Sequence, residues 1–233
     1  MIADNLAAVR ARIEAAAARA GRAAEDVTLV AVTKEVDAAR AREAVALGVG
    51  DLGENRVQEL QSKQSALAGS WVRWHMIGTL QRNKVPQVVG HVALIHSVDS
   101  PRLADAIGKR AAAEGLEQDV LLEVNAGGEP TKHGAALDDA IDVARGLLDV
   151  DGLRLRGLMT IAPAADARAA REVFRTLREL GDRLQERAPD ALELSMGMSE
   201  DFEIAIEEGA TIVRIGSAIF GARAAAHRTK ASG

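Results

Sequence analysis

Short runs of apolar residues alternate with longer polar and mixed segments along most of the chain. The first run, Val27–Val32, is rich in β-branched residues, which is typical of a strand that is buried on both faces. Further runs begin near seven positions, namely Asp51, Trp74, Val92, Asp119, Leu153, Leu192 and Thr211. The pattern therefore predicts eight strands.

Between these runs, apolar residues recur at the spacing of an amphipathic helix. The clearest helical segments are Ala38–Leu47, Arg102–Glu114, Leu137–Leu148 and Ala167–Arg187, and a further helix begins near Ile2. A strand-then-helix repeat indicates parallel pairing, because parallel strands need long crossover connections. Eight such units in 233 residues predict an α/β fold, a single-domain (β/α)₈ TIM barrel with an extra N-terminal helix.

The domain organisation follows from composition. No stretch rich in Pro, Gly or Ser interrupts the alternation, so we expect one domain over residues 1–228. Residues 229–233 are small or polar, and we expect them to form a flexible tail.

Charge and composition exclude several classes of function. The net charge is -5 without a basic block, which argues against a nucleic-acid-binding face. The chain has no Cys, and its five His are scattered, so no metal-ligand spacing is present. Neither a signal-peptide pattern nor a continuous apolar span is found, and we expect a cytoplasmic protein that does not enter a membrane.

Functional groups of TIM barrels cluster at the C-terminal ends of the strands. Lys34 directly follows the first strand, where partial burial would favour a neutral amine that forms a Schiff base. Position alone favours the alternative, an ordinary solvated loop lysine. Asn55 follows the second strand, and either a ligand contact or a helix cap explains it. Lys132, after the fifth strand, could shield an anion or be a surface charge.

The last two strands carry a stronger signal. Ser195 ends the seventh strand, Ser199 is a plausible N-cap of the next helix, and Gly216 with Ser217 ends the eighth strand. Barrel enzymes often bind phosphate at these adjacent ends, although ordinary glycine turns have the same composition. Arg214 lies inside the apolar eighth strand, where a buried guanidinium needs an acceptor from the core or a ligand.

Taken together, these segments resemble the YggS/PROSC family of pyridoxal-phosphate homeostasis proteins. The matching stretches occur in one order between residues 30 and 221: Val30–Lys34, Gly53–Glu59, His75–Gly78 with Leu80-Gln81 and Asn83-Lys84, Gly157–Thr160, Leu194–Ser199, Val213–Gly216 and Ala218–Gly221.

The resemblance implies a fold like the barrel domain of alanine racemase and pyridoxal 5′-phosphate (PLP) held as a Schiff base on Lys34. It also implies three further sets of contacts. The phosphate would bind Ser195, Gly216 and Ser217; Arg214 would face the pyridine nitrogen; and Asn55 and Met159 would line the ring pocket.

These implications favour a carrier over an enzyme. Arginine only donates hydrogen bonds, so Arg214 would keep the pyridine nitrogen unprotonated and weaken carbanion chemistry. The sequence has no Tyr, the usual partner of Lys in two-base racemisation in this fold. We therefore assign no catalytic residue and expect a monomer that acts in PLP and amino-acid homeostasis, with PLP-accepting apoenzymes as possible partners. A PLP-dependent racemase, a Schiff-base aldolase and a protein-binding regulatory module remain alternatives.

Overall fold

The computed structural model of the chain describes residues 1–129, 133–163 and 166–221. The strands within these residues are β1 (Thr28–Val32), β2 (Asp51–Glu54), β3 (Arg73–Met76), β4 (Leu94–Val98), β5 (Gln118–Asn125), β6 (Ala135–Ala136), β7 (Leu153–Met159), β8 (Glu193–Ser195) and β9 (Ile212–Ile215). The helices are α1 (Ile2–Arg19), α2 (Ala38–Ala46), α3 (Val57–Ala66), α4 (Pro101–Ala113), α5 (Ala140–Leu148), α6 (Ala167–Gln185), α7 (Phe202–Glu207) and α8 (Ser217–Phe220).

Eight of the strands form a closed parallel barrel. Their order is β4-β3-β2-β1-β9-β8-β7-β5, and pairing of β4 with β5 closes the ring. The two-residue strand β6 pairs only with the end of β5 and was not predicted. All eight predicted strands are present, each beginning within two residues of its predicted start, so the barrel prediction is confirmed.

One crossover departs from the strand-then-helix repeat. Between β3 and β4 the chain forms a 3₁₀ helix over Arg82–Gln87 in place of an α-helix. Pro86 lies within it and has no backbone N–H to donate, which disfavours a regular α-helix there. The extra N-terminal helix is confirmed as α1, which packs its apolar side on α7 and α8.

The barrel has two apolar layers. Outside, the helices pack on the strands in the main core. Inside, alternate strand residues point toward the barrel axis, and a separate apolar cluster consists of Val30, Leu94, Leu121, Met159 and Ile212. Several other inward positions hold buried polar side chains, among them His75, His96, Ser195 and Arg214.

The predicted domain boundary at residue 228 and the predicted tail lie outside the described residues, as does Lys132. Among the described helices, none combines the length and the apolar character needed to cross a bilayer.

Candidate functional site

The C-terminal ends of the strands surround a cavity of about 610 Å³. Five of the predicted site residues line it: Lys34, Asn55, Arg214, Gly216 and Ser217. They come from β1, β2 and β9, which are neighbours in the ring. The structure therefore brings these five side chains or backbones to one place, at the end of the barrel where function is expected.

Lys34 lies in the turn that leaves β1, and its side chain is half-buried in the cavity wall. Within the described residues, no hydrogen-bond acceptor or carboxylate binds its amine. The next residue, Glu35, adopts a φ of 61°, a left-handed conformation that costs free energy in a residue other than glycine. A turn of this kind persists only when its surroundings fix it.

A buried ion pair provides that support. The Lys63 amine donates to Glu54 Oε1 at 2.6 Å and to the carbonyl of Thr33, the residue before Lys34. Thr33 Oγ1 donates to the same Glu54 oxygen, and Glu59 Oε2 accepts from the Glu35 amide at 2.9 Å. Burial raises the pKa of the Glu54 carboxyl above its ordinary value. This set of contacts fixes the backbone on both sides of Lys34.

Gly216, Ser217 and Ser199 form a group of donors on one wall of the cavity. The amides of Gly216 and Ser217 have no acceptor among the described residues, as expected at the start of a helix. Ser199 Oγ lies 3.3 Å from the amide of Ala218, which places this hydroxyl beside them. Free amides and hydroxyls at adjacent strand ends suit a phosphate group.

Ser195 does not line the cavity. It is fully buried in the barrel, where its Oγ lies 2.6 Å from Arg214 Nη1 and 2.8 Å from His96 Nδ1. Ser199, four residues later, takes the cavity position instead. The helix after it begins at Phe202 with Asp201 before it, so the predicted N-cap role of Ser199 is wrong. We therefore propose Ser199, in place of Ser195, as the side chain that contacts the phosphate.

Asn55 and Met159 were both predicted to line the pocket of the cofactor ring, but the structure places only one of them at the cavity. Asn55 lines the cavity, and the following helix is preceded by Arg56, so Asn55 is not the helix cap. Met159 is buried in the interior apolar cluster and does not reach the cavity wall. Its predicted contact with a ring stays a prediction.

Arg214 joins the cavity to the barrel interior. Its guanidinium is buried and donates to Ser195 Oγ and, at 2.9 Å, to the carbonyl of Thr160. Burial lowers the pKa of Arg214 to about 10, while the carboxylates of Asp201 and Glu123 oppose this shift. The side chain therefore stays a cation at neutral pH, with donors left over for a ligand.

Arg40 is a second arginine of the cavity, and it was not predicted from the sequence. It comes from α2, donates to the carbonyl of Phe220 and lies 5.9 Å from the centre of the Phe220 ring. From the other side of α8, the Asn5 amide donates to the carbonyl of Ile219 at 2.9 Å. These contacts hold the short helix whose first residue is Ser217.

Comparison with known proteins places this geometry in context. The family model of the alanine racemase N-terminal domain matches residues 5–224. A relative from Aquifex aeolicus, named pyridoxal phosphate homeostasis protein, is 47% identical over 222 residues, which cover 94% of this chain and 97% of the relative.

Solved structures agree with this. A crystal structure from Bifidobacterium adolescentis has a TM-score of 0.90 and 41% identity, covering 94% of each chain. PipY of Synechococcus elongatus, solved with PLP bound, has a TM-score of 0.84 and 36% identity, covering 95% of this chain and 100% of PipY. An alanine racemase of Clostridium difficile shares the fold at 18% identity and a TM-score of 0.74, and the match covers 96% of this chain and 58% of the racemase.

Proposed function

Because the chain belongs to the alanine racemase N-terminal domain family, we propose that it holds pyridoxal 5′-phosphate as a Schiff base on Lys34. We propose further that it acts in the homeostasis of this cofactor and, indirectly, of amino acids, as the names of its relatives indicate for them. The observation that carries the proposal is a lysine amine with no acceptor among the described residues, in the same cavity as a group of phosphate-type donors and a buried arginine.

The donors of the cavity fit the parts of the cofactor. The phosphate would accept from the amides of Gly216 and Ser217 and from the hydroxyls of Ser199 and Ser217. Asn55 would contact the polar edge of the ring, and Arg214 would donate to the pyridine nitrogen. When bound, the cofactor supplies a reactive aldehyde, and the protein's own contribution is to hold and shield it.

Arg214 is the reason to expect storage in place of catalysis. A permanent cation cannot sit opposite a protonated nitrogen, so the ring would remain a poor electron sink. Racemisation would further need a second base, and the chain contains no Tyr for that task. We therefore propose that the protein has little or no classical PLP-enzyme activity.

The wider role follows from storage. We propose that the protein releases the cofactor to PLP-accepting apoenzymes by exchange of the Lys34 amine for another amine or for water. This role suits the cytoplasm, where those enzymes work, and a monomer is sufficient for it because the cavity is built from one barrel. None of these points requires a partner subunit.

A titration tests the proposal. Purified protein is titrated with the cofactor, and the absorbance of the Schiff base is followed. We expect a saturable band that disappears in Lys34→Ala and persists in Lys109→Ala, which removes an exposed lysine of α4. Equal bands in both variants would refute the assignment to Lys34. Measurement of α-proton exchange in a panel of amino acids separates storage from racemisation, because only a racemase exchanges the proton.

A further inference from the structure

Five inward-facing polar side chains form a continuous line of hydrogen bonds through the barrel, which we call the barrel network. It consists of Asp51, His75, His96, Ser195 and Arg214. They come from β2, β3, β4, β8 and β9, and β4 and β8 are three strands apart in the ring. Such polar residues are costly inside a barrel unless every group is paired, so their arrangement needs an explanation.

The distances are those of real hydrogen bonds. Arg214 Nη1 lies 2.6 Å from Ser195 Oγ, and that oxygen lies 2.8 Å from His96 Nδ1. His96 Nε2 is 2.9 Å from His75 Nδ1, and His75 Nε2 is 2.9 Å from Asp51 Oδ1. The network thus connects the cavity at one end of the barrel with the start of β2 at the other.

The chemistry of the two ends favours one direction of donation along the network. Arginine can only donate, so Ser195 accepts from Arg214, and the Ser195 proton finds an acceptor when it is donated to His96 Nδ1. An ionised carboxylate can only accept, so His75 Nε2 donates to Asp51. His96 Nε2 must then donate to His75 Nδ1. In this arrangement each ring carries one proton, on Nε2.

The pKa shifts of His96 and Asp51 support two parts of this arrangement. Burial, followed by the nearby His75 and Arg214, holds the pKa of His96 well below its ordinary value, so this ring stays neutral. Burial alone would raise the pKa of Asp51, but hydrogen bonds from His75 and Arg73 hold it below its ordinary value. The network therefore has an anion at one end, a cation at the other and the neutral His96 between them.

A reversed network would not satisfy its members. If His75 were doubly protonated, His75 would donate to His96, and His96 Nδ1 would donate to Ser195. Ser195 already accepts from Arg214, so its own proton would need a new acceptor. One direction of donation is thus strongly preferred, and it aligns each dipole with the charge of Arg214.

We infer that Ser195, His96, His75 and Asp51 are positioning residues, which fix the Arg214 guanidinium toward the cavity and link its orientation to the opposite face of the barrel. The inference rests on the proposed function, because Arg214 is there assigned to the cofactor ring. Asp51 and Arg73 line a second cavity of about 320 Å³ at that opposite face. Arg73 Nε binds Asp51 Oδ1 at 2.8 Å, so the far end of the network is anchored near solvent.

The first test reads the proton positions directly. Nitrogen-15 spectra of the histidine rings, recorded without cofactor, should show His75 and His96 as neutral rings protonated on Nε2. A proton on His96 Nδ1, or a charged His96 near neutral pH, would overturn the inference. Because no cofactor is present, this result is independent of whether Lys34 forms an adduct.

The second test is a double-mutant cycle on cofactor binding, with the absorbance maximum of the bound cofactor as an additional readout. Ser195→Ala should weaken binding about tenfold, because a buried charged donor loses one partner. Asp51→Asn should have a smaller effect in the same direction. The double variant should equal Ser195→Ala, because a network already cut at Ser195 cannot transmit a change at Asp51. Additive effects of the two substitutions would overturn the inference.

Asp119→Asn is the matched control for Asp51→Asn. Asp119 is also an acid near the start of a strand, and its Oδ1 pairs with Arg154 at 2.5 Å. It has no contact with the barrel network, so neither the affinity nor the absorbance maximum should change. Adduct formation on Lys34 in wild type is scored separately, so that failure of the proposed function is distinguishable from failure of the network.

Discussion

Replacement of Lys63 by methionine is the most direct test of how the structure supports the Lys34 turn. Lys63 is 6% exposed, and Glu54, its partner at 2.6 Å, is completely buried. Methionine retains most of the volume but leaves the Glu54 carboxylate without its cation. Removing one partner of a buried ion pair typically costs about 3–5 kcal/mol. In a chain of this size each kcal/mol lowers the melting temperature by about 2–4 °C, so we expect a fall of about 6–20 °C.

Urea unfolding at neutral pH measures the loss of unfolding free energy, and thermal unfolding measures the fall in melting temperature. A second substitution identifies the cause of the loss. Glu54→Gln in the Lys63→Met background removes the unpaired charge and should recover a large part of the lost stability. Lys109→Met, on the exposed side of α4, is the control and should change stability by less than about 0.5 kcal/mol. A loss below about 1 kcal/mol for Lys63→Met, or no recovery in the double variant, would show that the pair does not hold the turn as described.

Three further predictions concern the phosphate donors, the buried His96 and the close approach at Gly157. Ser199→Ala should weaken cofactor binding about tenfold in the same absorbance titration, since one phosphate donor is lost; unchanged affinity would contradict its role. Because the folded pKa of His96 lies well below 6.5, the folded chain binds fewer protons than the unfolded chain in acid, and stability falls as pH drops below 6.5 by at most about 1.4 kcal/mol per pH unit. His96→Gln should flatten this dependence in urea unfolding between about pH 7.5 and about pH 5.5, and an equally steep dependence would refute the argument. Gly157→Ala should cost more than about 4 kcal/mol, because its Cβ would lie 1.9 Å from the carbonyl oxygen of Glu193 at a φ of 148°. Gly146 is an exposed residue of α5 with open space around it, so Gly146→Ala should instead stabilise the protein by about 0.5–1 kcal/mol in the same assay. A similar result for Gly157→Ala and Gly146→Ala would show that the close approach at Gly157 is not real.

The barrel could be predicted from sequence because its strands are short apolar runs. The segments between them have apolar residues at the spacing of an amphipathic helix. The strands β2 and β3 have only four residues each, so their apolar runs are among the weakest signals in the sequence. The strand β6 has only two residues, which is too short to show any period. The 3₁₀ helix before β4 was not predicted either, because one proline does not reveal which kind of helix replaces the regular one.

The site was predictable where it depends on strand ends alone. Lys34, Asn55, Gly216 and Ser217 follow from that rule and line the cavity. Arg214 was predicted for a different reason, because a charged side chain inside an apolar strand needs an acceptor. The choice between Ser195 and Ser199 depends on where β8 ends and on which face each residue lies.

The sequence also does not reveal contacts made by helices. Arg40 and Lys63 reach the site from α2 and α3, and nothing in their local sequence distinguishes them from the other charged residues of those helices. The barrel network was hidden for a similar reason. His75 and His96 are far apart in sequence and meet only when β3 and β4 pair inside a closed ring.

The central claim is that one amine, that of Lys34, carries the cofactor. Purified protein is mixed with pyridoxal 5′-phosphate, reduced with borohydride, digested and mapped by mass spectrometry. We expect the reduced adduct on the peptide containing Lys34, in about one copy per chain. An adduct on any other lysine, or no adduct at saturating cofactor, would contradict it.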